Sequence, residues 1–106
     1  MKLVNLTPHT INFVKDDGSP LMSIKSSGIC RVSCSTVVTG EIDGIPTTTN
    51  KYGEVEGLPN PEDGTIYIVS ALVAGRCTDR DDVFIPNESV RNDKGQIIGC
   101  KSLGRI

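Results

Sequence analysis

The chain has 106 residues, of which 37% are hydrophobic and 23% charged, with a formal net charge of -2. This is the size and composition of one small globular domain with a single core, and it excludes a disordered tail. No apolar run approaches the roughly 20 residues of a bilayer span, and the N-terminus has no signal-peptide core. A pI near 5.3 without a basic cluster argues against duplex nucleic acid as the main partner. We expect one cytoplasmic domain over residues 1–106, with no membrane partner.

The residue types predict the fold class. Ile, Val and Thr together account for 30 residues, whereas Ala occurs only twice. Side chains branched at Cβ favour pleated strands, while Ala is the strongest helix former. We therefore predict a mainly β protein, a small single-domain barrel or sandwich of short antiparallel strands with one short helix.

Strand-like segments and turn signals alternate along the chain. The predicted strands lie at residues 2–6, 10–15, 21–25, 29–39, 65–69 and 83–86, and residues 89–91 and 96–101 form a final hairpin. Asp-Asp-Gly at 16–18 and Asn-Asp-Lys-Gly at 92–95 are hairpin turns. Residues 40–64 form a looser region, with a strand around 47–49 and a Pro-rich loop at 58–64. Pro86 is expected to mark the exit of its strand.

The segment of residues 65–69 has the strongest strand pattern. It is apolar on both faces, which predicts a central place in a sheet. Directly after it, Ser70 is placed to cap a helix and Gly75 to end it, so residues 70–76 are predicted as the one helix.

Four cysteines and one histidine raise the question of a metal site. Cys30 and Cys34 lie in an extended segment, which places their Cα atoms about 13 Å apart, too far for a disulfide or for one tetrahedral zinc ion. No Cys-x-x-Cys pair occurs. We expect reduced thiols, no metal and no cofactor.

The first polar cluster is the segment of residues 5–10. Asn5, Thr7 and His9 lie at a strand end that is held by Pro8, and His9 is the only histidine. A turn in which Asn5 and Thr7 cap backbone amides explains the pattern as well as ligand recognition does.

The second polar cluster follows the central strand. Ser70 starts the helix, and Arg76 and Arg80 can each form a fork onto a phosphate or carboxylate. Asp82 can pair with an arginine or accept a hydrogen bond from a ribose hydroxyl. A solvated, self-neutralising loop is the alternative.

Enzymatic activity is left open, with binding favoured. Ser70, His9 and Asp82 supply the residue types of a catalytic triad, but no nucleophile-elbow glycines flank Ser70. Asp81 and Asp82 are adjacent, so on a strand they face opposite ways and do not suit paired acid/base work.

Several segments carry a resemblance to a family of short uncharacterised proteins of bacteriophages, prophages and bacteria. They are Asn5–His9, Gly57–Pro59, Tyr67–Ala74, Arg80–Val83, Pro86 and Gly99–Leu103. The resemblance covers most of the chain apart from about residues 15–50. It implies a phage or mobile-element setting and a location in the host cytoplasm.

Small phage proteins often counter host defence, and some sequester nucleotide immune signals, so this setting suggests a function by analogy. We predict a nucleotide or cyclic-nucleotide sponge that serves immune evasion and forms a homo-oligomer. Its ligand-binding residues would be Asn5, Thr7, His9, Ser70, Arg76, Arg80 and Asp82. The alternatives are a small enzyme that cleaves such a nucleotide, and a structural or protein-interaction component of the phage.

Overall fold

The computed structural model describes residues 1–106 and contains eight strands and one short helix. The elements are β1 (Lys2–Asn5), β2 (Ile11–Val14), β3 (Pro20–Ile24), β4 (Arg31–Ile42), β5 (Ile45–Glu56), β6 (Thr65–Ile68), α1 (Ala71–Ala74), β7 (Val83–Arg91) and β8 (Ile97–Gly104). The predicted mainly β class with a single short helix is confirmed. The helix has four residues, and no helix is long and apolar enough to cross a membrane.

Six of the strands form one sheet in the order β1-β6-β7-β8-β2-β3. Its two edge strands meet just beyond β3, where Asn5 forms a parallel bridge with Ser26. The Ser27 amide donates to the Asn5 carbonyl at 2.8 Å. This contact joins the two edge strands and closes the sheet into a small barrel.

The pairing of the strands is mixed. The β2–β3, β4–β5 and β7–β8 pairs are antiparallel, as expected for hairpins. The β1–β6, β6–β7 and β2–β8 pairs are parallel, which the sequence analysis did not anticipate. Parallel neighbours are brought together by long connections, and these leave no turn signature at the strand ends.

The barrel core forms around the central strand. The β6 strand lies between β1 and β7, and Tyr67, Ile68 and the following Val69 are all buried. The prediction of a central strand at 65–69 is therefore confirmed. Ser70 caps α1 and Gly75 ends it, also as predicted, and Val73 and Ala74 of α1 pack into the core.

The seventh strand corrects one prediction. It does not end at Pro86 but continues to Arg91 as a single strand. Beyond Phe84 it no longer pairs with β6 and keeps only β8 as a neighbour. A proline without an amide hydrogen is tolerated on such a free edge. Within this strand Glu88 has a positive φ of 55°.

The middle of the chain corrects another prediction. Residues 40–64 were expected to be loose, but β4 and β5 form a hairpin of two 12-residue strands around an Asp43-Gly44 turn. We call this hairpin, residues 31–56, the arm. Its turn needs the positive φ of both Asp43 (50°) and Gly44 (83°). Only the loop that follows it, at residues 58–64, is irregular as predicted.

Because of the arm, the molecule is far less compact than a globular domain of the same length. The radius of gyration is 16.9 Å, whereas a compact domain of this length has about 13 Å. Only 15 of the 106 residues are buried, and almost every arm residue is exposed. At the arm's base, Val32 and Val55 pack against the barrel core.

Candidate functional site

The first predicted cluster is a closed network around the Asn5 side chain. Asn5 is completely buried, and its Nδ2 donates to the carbonyls of His9 (2.8 Å) and Ile24 (2.9 Å). Its Oδ1 accepts from the Thr7 amide (2.9 Å) and the Thr7 hydroxyl (2.6 Å). This network ties the end of β1 to the end of β3, where the barrel closes. It corresponds to the turn that the sequence analysis held open as the alternative to ligand recognition.

His9 contributes only its carbonyl to that network, and its side chain is exposed. It lines the rim of a cleft of about 310 Å³ between β2, β7 and β8. The remaining lining residues are Thr10, Ile11, Asn12, Pro86, Ser89, Ile97, Ile98, Gly99 and Cys100. The cleft thus combines an apolar floor with several polar groups and contains no carboxylate.

The second predicted cluster contains a tight ion pair. Arg80 donates from Nε and Nη2 to the two Asp82 carboxylate oxygens, both at 2.8 Å. Its Nη2 also donates to the Pro59 carbonyl at 3.0 Å. The two side chains are only 19% and 12% exposed. The pair therefore anchors the 58–64 loop, and a phosphate would have to compete with Asp82 for the guanidinium.

The ion pair makes the stability depend on pH. The hydrogen bonds from Arg80 hold the pKa of Asp82 below its ordinary value of 3.8, although burial opposes this. A lowered pKa in the folded state stabilises the fold above the ordinary value, and that contribution disappears as the pH falls through the lowered one. We expect wild type to exceed Asp82→Asn in free energy of unfolding by a constant amount from pH 5 to 8. The difference should shrink as the pH falls below about 3.8.

Urea unfolding of both proteins across that pH range measures the difference directly, because every other carboxyl titrates in both. A difference that stays constant down to pH 2.5 would show that Asp82 is not ionised and paired in the folded state.

Ser70 and Arg76 have separate roles. The Ser70 hydroxyl accepts from the Val73 amide at 3.4 Å as the cap of α1. The Arg76 guanidinium lies 4.5 Å from the centroid of the Tyr52 ring on the arm. This cation–π contact connects the end of the helix to the arm.

The seven predicted residues thus fall into separate groups. Asn5, Thr7 and His9 are together, and Arg80 and Asp82 are together, but His9 and Asp82 line different cavities. Asp82 is bonded to Arg80 and Ser70 to the helix backbone, so Ser70, His9 and Asp82 do not form a hydrogen-bonded triad. Their assignment to one ligand site stays a prediction.

The four cysteines are all unpaired, and three of them are buried. Burial raises the pKa of the Cys30, Cys77 and Cys100 thiols, which disfavours the reactive thiolate. No group of three or more His, Cys, Asp or Glu side chains is arranged to hold a metal ion.

The arm lies outside the candidate sites predicted from the sequence. Exposed apolar side chains occur along it: Val37, Val38, Ile42, Ile45 and Tyr52. The signal was present in the sequence, since Ile42-Asp-Gly-Ile45 is a two-residue hairpin turn between apolar residues. The glycines and the proline around it were instead interpreted as breaks in regular structure.

The two faces of the arm have different surroundings. The face that carries Cys34 and Tyr52, which pair across the strands, is held to the barrel by Arg76. The opposite face has no contact of this kind with the barrel. We call it the open face; its members are Ser35, Val37, Ile42, Ile45, Thr47, Thr49 and Lys51, which share one side by register.

No protein-family model, curated protein or solved structure matches this chain.

Proposed function

We propose that this protein is a self-assembling interaction module whose arm is covered by another copy of the same chain. In the phage setting that the resemblance implies, this is the structural or protein-interaction component named above as an alternative. The observation that carries the proposal is the amount of surface that the single chain leaves exposed.

The excess surface has the size of a protein interface. The chain exposes 7303 Å², whereas a compact monomer of 11.3 kDa exposes about 5,700 Å². The excess of about 1,600 Å² is what two standard contacts of about 800 Å² per partner would cover. An isolated subunit thus has enough unpartnered surface for contacts with two neighbours, or for one neighbour that encloses both faces of its arm.

The arm is the part of the molecule that supplies this surface. Each of its strands has 12 residues, which corresponds to a length of about 41 Å. Two-stranded hairpins are marginally stable alone in water, and their free edges invite further pairing. The apolar pair Ile42 and Ile45 at the tip is 64% and 67% exposed. Covering the arm in an oligomer buries this apolar tip and supports the hairpin.

The experiment compares two pairs of isoleucines. We expect the wild-type chain to be a dimer or larger at tens of micromolar, measured by sedimentation velocity and light scattering. Ile42→Ser with Ile45→Ser should weaken association at least about tenfold, because apolar area at the contact is lost. The control is Ile97→Ser with Ile98→Ser, which changes two similarly exposed isoleucines (60% and 49%) away from the arm and should leave association unchanged.

A wild-type chain that is monomeric at 100 µM would overturn the proposal. So would equal weakening by the two pairs of substitutions in chains whose circular dichroism shows an intact fold.

A second candidate function is supported by the cleft beside His9. Its volume of about 310 Å³ is at the lower end of small-molecule sites. Polar groups from His9, Thr10, Asn12 and Ser89 surround an apolar floor, an arrangement that suits a base or sugar. The predicted nucleotide sponge would use this cleft, with Arg80 recruited only if Asp82 releases it.

This second candidate is tested by thermal shift against nucleotides, cyclic di- and trinucleotides and ADP-ribose derivatives. A ligand at 100 times its dissociation constant stabilises the fold by about 2.7 kcal/mol. A shift that His9→Ala abolishes would support the cleft, and mass spectrometry would distinguish an intact ligand from a cleaved one. If no compound in the panel shifts the melting temperature, the cleft hypothesis is wrong and self-assembly remains the proposed function.

A further inference from the structure

We propose that two copies of the chain pack their open faces against each other in antiparallel orientation, related by a two-fold axis near Thr47, in the outer half of the arm. This inference rests on the proposed function, since it specifies which surface of the arm is covered and how.

The open face is suited to contact with another sheet. Along β5 it presents Ile45, Thr47 and Thr49, and the register places Ile42 beside Ile45 and Val37 beside Thr49. These side chains are all branched at Cβ, so they are stiff and lose little rotamer freedom when they are covered. Sheets of this kind pack face to face at about 10 Å.

A second copy of the chain has charges that complement those of the open face. The open face has one cation, Lys51, about halfway along β5, and the turn at the tip has the carboxylate of Asp43. The chain's two ion pairs are Arg31–Glu56 and Arg80–Asp82, so neither Lys51 nor Asp43 is paired within its own chain. The outer half of the arm therefore has an unpaired cation at its inner end and an unpaired anion at its tip.

The charges decide the orientation. In the antiparallel arrangement, Lys51 of each copy lies beside Asp43 of the other, and the methylene stem of Lys51 covers the apolar tip. In a parallel arrangement, Lys51 would face Lys51 and Asp43 would face Asp43, which is unfavourable at both ends. The antiparallel contact is isologous, so it closes as a dimer and leaves the other faces of the arms outside.

The test is a double-mutant cycle of Lys51→Gln, Asp43→Asn and the double variant. Asn is tolerated at the positive φ of position 43, so the turn is preserved. Each single change removes both symmetry-related charge contacts, and we expect it to raise the dimer dissociation constant about fivefold at low salt. The double variant should be no weaker than either single one, because the contact is already lost.

The control is Lys94→Gln, which makes the same change in the exposed β7–β8 turn and should leave the dissociation constant unchanged. In the parallel arrangement the single changes would instead tighten the dimer, because they relieve repulsion. Tightening, or additive effects in the double variant, would overturn the antiparallel contact while the assembly function stands. A monomeric wild type would remove the proposed function itself.

Discussion

Asn5→Ala is expected to remove a large part of the stability of the fold. The substitution leaves the Thr7 amide and the Ile24 carbonyl without their partner at a position that is 0% exposed. An unsatisfied buried polar group costs about 1–3 kcal/mol, so a total near 4 kcal/mol is expected. Domains of this size are stable by about 5–15 kcal/mol in total. The melting temperature should fall by roughly 20 °C.

Thermal and urea unfolding, followed by circular dichroism, measure this loss. The matched control is Asn12→Ala, which removes an exposed amide bonded to the Ser23 hydroxyl and should change stability by less than about 0.5 kcal/mol. Similar, small effects of the two changes would contradict the inference that the Asn5 network closes the barrel.

Gly57→Ala is the second substitution for which we expect a large loss. Gly57 directly follows β5 and has a φ of +88°, which an L side chain adopts at a cost of about 1–2 kcal/mol. A Cβ atom there would also lie 2.6 Å from the Ile29 carbonyl oxygen. Because that neighbour is backbone, the base of the arm would have to move. We expect a total loss of about 3 kcal/mol.

Gly64→Ala separates the two causes. Gly64 has a similar φ of +75°, but a Cβ atom there meets nothing within 4 Å. Its loss should be about 1 kcal/mol, from backbone conformation alone. Unfolding in urea measures both variants. The difference between them reports the close approach at the arm's base, and equal losses would show that residues 29 and 57 are not in contact.

The first polar cluster shows how much a local sequence pattern can predict. Asn5, Thr7 and His9 were recognised as a polar cluster, and the structure brings them together. Their segment alone did not reveal that the Asn5 amide donates to Ile24, 19 residues away. A side chain that closes a barrel and one that binds a ligand have the same appearance in a sequence, because both are polar residues at a strand end.

Arg80 and Asp82 show the same limit of sequence-based prediction for charged residues. Their spacing allowed either a phosphate fork or a neutralising pair, and the carbonyl of Pro59, which fixes Arg80, is 21 residues away. Arg76 was assigned to the same cluster, yet it contacts Tyr52 on the arm. Charge and spacing identify such residues as candidates for a polar site. Only contacts between distant segments determine which group each of them binds.

The sequence by itself determined the mainly β class, the central strand at 65–69, the capped helix after it and the hairpins at 16–18 and 92–95. Each depends on side-chain branching, alternation or turn chemistry within a few residues, and these act locally. Only the tertiary structure decided the parallel pairings, the barrel closure at Asn5 and the projection of the arm. These depend on contacts between distant segments, for which loop-closure entropy and packing of the whole chain set the outcome.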